Sequence, residues 1–321
     1  MSNIDIAKLH DMELVTRTDL DGIAAGACFL DSHIIGEGKV RAVHPKDVQD
    51  GIVDLDENCI TTNLPFDPRV KLAFDHHDSE HDRLGEEEQI ARDKGQLIID
   101  SKARSAARVV YNWCREHSLA EHISTELIDA ADKIDSAQLS LEDILDPQGW
   151  VLLGYIMDAR SGFGRFRNFT ISNYALMVKL ISYCVDHTID EILALPDVQE
   201  RITLYKEHEV LAKEQLKRIA KLQGDTVVLD YREEDIIYTV NRFMIYAMFP
   251  EAKYSIHVLC GKDKKNIALQ VGQSIINKTG STHIGNLCLK YGGGGHAKAG
   301  SCQPEIEHAG RVLDELLWAL K

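Results

Sequence analysis

Between residues 12 and 135 short apolar runs alternate with longer stretches of helical character. Leu14-Val15-Thr16, Val40-Arg41-Ala42-Val43, Cys59 to Leu64, Val70 to Phe74 and Leu97-Ile98-Ile99-Asp100 read as strands. The small-residue run Ile23 to Leu30 and the stretches Ala103 to Tyr111 and Leu127 to Asp135 read as helices. This alternation predicts an α/β fold, a mostly parallel sheet with helices on both faces. Open sheets of that kind place their chemistry just past the carboxyl ends of the strands. Polar residues at those ends are therefore the first candidates for function.

Three such ends carry informative residues. After the first strand comes Arg17-Thr18-Asp19-Leu20-Asp21-Gly22. Two carboxylates two residues apart share a side of an extended segment, and a single helix cap would need only one of them. After the fourth comes Phe74-Asp75-His76-His77, whose oxygen and nitrogen donors suit Mn²⁺, Fe²⁺, Zn²⁺ or Co²⁺. A polar surface turn is the plain alternative. Arg104 and Ser105 open a helix, where a cation and a hydroxyl make an anion site; a Ser cap beside an exposed Arg is the bland reading. Asp129, Asp132 and Asp135 lie near one helix face, and the flanking Ile and Ala imply partial burial with a partner for each carboxylate.

Residues 80 to 96, with Glu86-Glu87-Glu88, read as an exposed loop, and residues 150 to 222 as helical throughout. Within the latter, Asp158 to Arg167 concentrates Arg160, Arg165 and Arg167 with two glycines, a candidate phosphate-binding loop or simply a solvated one. Val198 to Leu222 reads as a connecting helix. Beyond it Thr226 to Leu229, Ile236-Ile237-Tyr238, Tyr254 to Leu259 and Asn266 to Val271 read as strands of a second domain. The expected division is 1–195, 196–223 and 224–321. Near its end, Gly292-Gly293-Gly294-Gly295-His296-Ala297-Lys298 exposes backbone amides that let a ligand approach closely. A linker would explain the glycines but not the His and Lys among them.

The net charge is −15, and the whole-molecule field repels phosphates, which argues against nonspecific binding of long duplex nucleic acid. No apolar run is long enough to cross a bilayer, so no membrane partner is expected. Seven scattered Cys without a Cys-x-x-Cys pair fit reduced thiols in a cytoplasmic setting.

Taken together, Thr18-Asp19-Leu20-Asp21-Gly22, Asp75-His76-His77 and Gly293-Gly294-Gly295-His296-Ala297 resemble the DHH phosphoesterase superfamily with its associated C-terminal domain. The chain looks most similar to its two-domain exopolyphosphatase-like and nanoRNase-like members. The resemblance implies a Mn²⁺-dependent phosphoesterase, with Mg²⁺ or Co²⁺ as alternatives, acting on a short oligonucleotide, a nucleotide or polyphosphate; a homodimer is compatible with it. It implies Asp19, Asp21, His76 and Asp132 as metal ligands, with Asp135 competing for the last place. Asp75 would orient His76. His77, Arg17 and Arg104 would act on the phosphoryl group. Ser105, Arg160, Gly293, Gly294, Gly295 and His296 would bind substrate, the glycine motif holding its terminal phosphate or sugar. Two positions depart from the family pattern. Arg17 stands where a ligand is usual, and Asn63 where a bridging Asp is usual. A guanidinium cannot ligate a metal, and loss of a bridging anion disfavours two adjacent dications. One ion, or a nucleotide-binding module without turnover, is the expectation these two residues raise.

Overall fold

The computed structural model describes residues 6–77, 79–261, 264–295 and 297–321. The chain divides into two compact units. The first runs from the amino-terminal end to Gln138 and resumes over Pro147–Thr203; the second comprises Leu139–Asp146 and Leu204–Lys321.

The first unit is built on five strands: β1 (Met12–Thr16), β2 (Ile35–Ala42), β3 (Cys59–Thr62), β4 (Leu72–Asp75) and β5 (Leu97–Ile99). They form one sheet in the order β2-β1-β3-β4-β5, and every neighbouring pair is parallel. β3 and β4 are buried at every residue, as expected for strands covered on both faces. The helix Leu20–Asp31 follows β1 and is buried from Leu20 through Phe29. Its small residues make that possible: a Cβ on Gly26 would come within 2.8 Å of Ile181 Cδ1. Phe74 closes the core with edge contacts to Phe29 and Trp113, ring centroids 5.3 Å apart in each case. In this strand order the chain changes direction across the sheet between β1 and β3, and a ligand crevice forms beyond the carboxyl ends of those two strands.

The stretch 80–96 is not a loop. It forms two short helices, Ser79–Leu84 and Glu86–Asp93. Its charges are paired along the helices, Arg83 with Glu80 and Arg92 with Glu88, while Ala91 packs into the core. The stretch 150–222 is interrupted: after the helix Gly149–Met157 two 3₁₀ turns lead into non-helical chain before Asn173–Asp186. The helix ends where Asp158 turns extended, and Gly162, at φ +91°, separates the two 3₁₀ turns.

The helix Pro196–Ile219 carries the chain into the second unit. There β6 (Ala220–Gln223), β7 (Thr226–Asp230), β8 (Tyr254–Cys260), β9 (Ile267–Gln273), β10 (Gly294–Gly295) and β11 (Ala299–Cys302) form a mixed sheet ordered β10-β11-β9-β8-β7-β6. Only β7 and β8 are parallel. Residues 236–238 lie outside the sheet. The Gln215 side chain takes the place of a strand partner, donating to the Ile236 carbonyl and accepting from the Tyr238 amide at 3.2 Å.

Candidate metal centre

The residues past β1, β3 and β4 converge with two helices at the carboxyl end of the parallel sheet. Asp19 caps the helix Leu20–Asp31, its Oδ1 accepting from the Gly22 amide at 3.0 Å. Gly22 is required by the tight entry: a Cβ there would sit 2.4 Å from the Arg17 carbonyl oxygen. Asp21 is buried, and three donors hold it. Its Oδ1 accepts from the Ala107 amide at 2.7 Å, and its Oδ2 from the Ala106 amide at 3.2 Å and from Asn63 Nδ2 at 2.8 Å. The two backbone donors are buried first-turn amides at the start of the helix Ala106–Glu116, a favourable place for an anion.

Asn63 sits just past β3 in the left-handed region, φ +56°, which Asn tolerates better than most residues. With its amide nitrogen committed to Asp21, its Oδ1 is buried and has no hydrogen-bond partner among the described residues. His76 faces Asp135. Its Nδ1 lies 3.4 Å from the Ala103 carbonyl, and its buried Nε2 lies 3.1 Å from Asp135 Oδ2 without the alignment of a hydrogen bond.

Asp21, His76 and Asp135 each bring one ligand atom within 4.8 Å of the others; Asp75, His76 and His77 form an overlapping group. A small cavity of about 10 Å³, the space of one water or ion, is lined by Asp19, Asp21, Asp135, Asp158 and Arg160 among others. Two carboxylates and an imidazole, with the buried Asn63 Oδ1 lacking a hydrogen-bond partner among the described residues beside them, fit a divalent cation with mixed N/O preference.

The electrostatics agree. Burial, with Asp135 and Asp19 adding to it, pushes the Asp21 carboxyl up to about 7. Burial would push the His76 imidazole down, but the Asp135 and Asp21 carboxylates outweigh it and raise it to about 9. Burial would also raise Asp135; the His76 imidazole, helped by His77 and Arg17, holds it below the usual carboxylate range instead. Such opposed shifts in one cluster mark a functional-site candidate.

The remaining candidates fall in several places. Asp132 lies one turn before Asp135, and its carboxylate is taken up, Oδ1 by Ser105 Oγ at 2.7 Å and Oδ2 by Arg108 Nε at 2.8 Å. It is Asp135 that meets His76. Ser105 is buried and also caps its helix, accepting from the Arg108 amide. Asp75 does not orient His76: its Oδ1 pairs with His77 Nδ1 at 2.5 Å. Residues two apart in extended chain share a side, and His76 points the other way. Arg17 Nε lies 3.5 Å from Asp19 Oδ2, and Arg160 Nε donates to Asp158 Oδ1 at 2.7 Å beside the cavity. Arg104 is exposed and lines a neighbouring pocket. The glycine motif lies in the second unit. A Cβ on Gly293 would sit 1.9 Å from the Ser301 carbonyl oxygen and one on Gly295 2.2 Å from that of Ala299, so the hairpin needs both. A Cβ on Gly294 would meet nothing within 4 Å, so the space beside that residue is open. His296 lies outside the described residues.

Sequence reasoning named Asp158 only as part of a loop and Asn63 only as a departure. Nothing in the sequence marks the first as a cavity wall or the second as the donor that fixes Asp21.

No family model matches the chain, and no curated protein matches it. Among solved structures it is similar to the pGpG-specific phosphodiesterase PggH from Vibrio cholerae. The two share 44% identity over 96% of this chain and 98% of that one, with a TM-score of 0.76. This chain belongs to the DHH phosphoesterase superfamily. Two more distant DHH structures share its fold. An exopolyphosphatase-related protein from Bacteroides fragilis has 13% identity, coverage of 97% and 92%, and TM-score 0.50. The Mn²⁺ complex of RecJ from Thermus thermophilus has 12% identity, coverage of 98% and 52%, and TM-score 0.53.

Proposed function

We propose that this DHH protein is a metal-dependent phosphodiesterase that hydrolyses short oligonucleotides, 5′-phosphorylated diguanylate (pGpG) foremost. The observation that carries the reading is the 44% identity to a pGpG-specific phosphodiesterase over nearly the whole of both chains. The buried Asp21–His76–Asp135 cluster gives that identity a chemistry.

Asp21, His76 and Asp135 would hold one divalent ion, with Asp19 and the Asn63 carbonyl oxygen beside it; Mn²⁺ suits this N/O set. The ion would lower the pKa of a water and polarise a phosphoryl oxygen when bound. Asp21 is held by fixed amides, so it offers its charge without reorganising. Arg17, as a permanent cation beside Asp19, would neutralise charge developing on phosphorus. Asp75 would hold the His77 ring by Nδ1, so that Nε2 is the nitrogen that meets the phosphoryl group. Gly294, bare and open, would admit substrate to the second unit's hairpin. Water adds to the internal phosphorus, the bond to O3′ breaks, and O3′ leaves with a proton, giving two molecules of GMP from pGpG.

The test is chromatography of products after incubation with Mn²⁺ and pGpG, tri- and tetranucleotides, or inorganic polyphosphate. Conversion of pGpG to GMP, with polyphosphate untouched, is expected. Phosphate release from polyphosphate alone would replace this reading by the exopolyphosphatase one. Mn²⁺ binding without turnover of any substrate would leave a nucleotide-binding module.

A further inference from the structure

Asn63 fixes Asp21, but what fixes Asn63 lies outside the cluster. Its turn, Asn63-Leu64-Pro65-Phe66, leaves the end of β3 and is tied down at both ends. At the start, the Asn63 amide donates to the Phe74 carbonyl at 3.1 Å. At the far end, one helical residue pair takes both main-chain groups of Phe66. Glu80 Oε2 accepts from the Phe66 amide at 2.9 Å, and Arg83 Nη2 donates to the Phe66 carbonyl at 3.0 Å. Arg83 also donates to Glu80, through Nε at 2.7 Å and Nη2 at 2.6 Å.

An ion pair between residues three apart on a helix is ordinarily a solvated contact of little consequence. This one differs. Glu80 is only 5% exposed, and a carboxylate is buried where donors satisfy it. The Glu80 main-chain amide donates to the His77 carbonyl at 3.1 Å. One residue therefore grips the turn bearing Asn63 with its side chain and the turn bearing His76 and His77 with its backbone. The Arg83 guanidinium is held above its ordinary pKa chiefly by its bonds to Glu80, against burial, and the Asp75 charge adds to the rise.

Packing alone does not set this geometry. Leu64 and Phe66 are buried, which holds the turn to the core, but apolar burial has no direction. Hydrogen bonds to a peptide group do. Little freedom remains between Phe66 and Asn63, because Pro65 fixes its own φ and keeps Leu64 extended. The orientation imposed on Phe66 is thereby passed to Asn63.

We propose that Glu80, with Arg83, is a positioning residue for the metal centre: it keeps the Asn63 turn in register with the His76–His77 turn, so that Asn63 Nδ2 stays on Asp21 and its Oδ1 faces the ion. The inference rests on the metal-dependent reading above and adds to it two residues that need touch neither ion nor substrate.

The experiment is a double-mutant cycle read by Mn²⁺ calorimetry on the wild type, E80A, N63A and N63A/E80A. E80A is expected to lower Mn²⁺ affinity about tenfold, the scale on which groups behind a metal ligand act. Once Asn63 is gone it should lower it no further, because the two act along one path. Hydrogen exchange on the metal-free protein gives a second readout. In E80A the amides of Asn63, Leu64, Phe66, His76 and His77 should exchange faster, while those of β1 and the helix Ala106–Glu116 stay as protected as in the wild type. A pair that serves only the fold would lower the melting temperature and leave Mn²⁺ affinity alone, and that result would overturn the proposal. Losses that multiply in the double variant would overturn it too. Should E80A not fold, R83M removes the bond to the Phe66 carbonyl from a half-exposed side chain. It should show a smaller loss of affinity, again absent beside N63A, and wild-type affinity in R83M would count against the proposal in the same way. Absence of Mn²⁺ binding by the wild type would overturn the metal reading and the positioning role with it, whereas binding that E80A leaves unmoved overturns the positioning role alone.

Discussion

At the residue scale the sharpest contrast is between Asp132 and Asp135, three residues apart on one helix. Asp132 bonds to Ser105 and Arg108 and is 8% exposed; Asp135 stands 3.1 Å from His76. D135N is expected to weaken Mn²⁺ binding by more than about tenfold, since even residues behind a metal ligand contribute on that scale. D132N is expected to leave Mn²⁺ affinity near wild type and to cost about 1–3 kcal/mol of stability through the lost ion pair. Calorimetric titration of Mn²⁺ and a melting curve on each variant separate the two, and the reverse pattern would overturn the assignment. The sequence carries the pair but not the choice. Both sit near one helix face, and what divides them is Arg108, whose reach across to Asp132 depends on how two helices pack. Asp19, Asp21 and His76 stand out in the sequence because they lie within a few residues of the carboxyl ends of two apolar strands, β1 for the aspartates and β4 for the histidine. The pairing of Asp75 with His77 followed from backbone alternation and could have been read from it.

At the scale of elements, the glycine hairpin separates packing from ligand access. G293A should destabilise the second unit by about 1–3 kcal/mol, the usual cost of forcing atoms into filled space, because the added methyl would meet the Ser301 carbonyl. G294A should leave the melting temperature within a few degrees of wild type and raise KM for the dinucleotide. If G294A melts as early as G293A, Gly294 serves the fold rather than the ligand. Strand and helix identity was readable wherever apolar period was strong, as in β1, β4, β8 and β9. It failed where local charge or a side chain intervened. The acidic run at 86–88 belongs to a helix because acids are favoured in a first turn. The apolar run 236–238 lies outside the sheet because Gln215 occupies its backbone groups.

At the scale of the whole molecule, the parallel sheet with order β2-β1-β3-β4-β5 explains why residues from distant stretches meet at one end. That much was expected from the alternation of strands and helices; the strand order was not, because it depends on crossover connections that composition does not encode. No helix among the described residues is long and apolar enough to cross a membrane. A bound ion should stabilise the entire fold by mass action, about 2.7 kcal/mol at a hundredfold excess over Kd. The sign with pH follows from the metal-free protonation. Asp21, raised to about 7, and His76, raised to about 9, must both lose protons to bind an ion. The rise in melting temperature on adding Mn²⁺ should therefore be larger at pH 8.5 than at pH 6. Scanning calorimetry at both pH values checks this, and an equal rise at each would contradict it. The grip on Asp21 has a last consequence. Two main-chain amides and a side-chain amide, from separate stretches of the chain, clamp it in place. The receptacle stands ready-made, so the pace of loading should follow how fast the incoming ion sheds its hydration shell rather than any refolding of the protein around it.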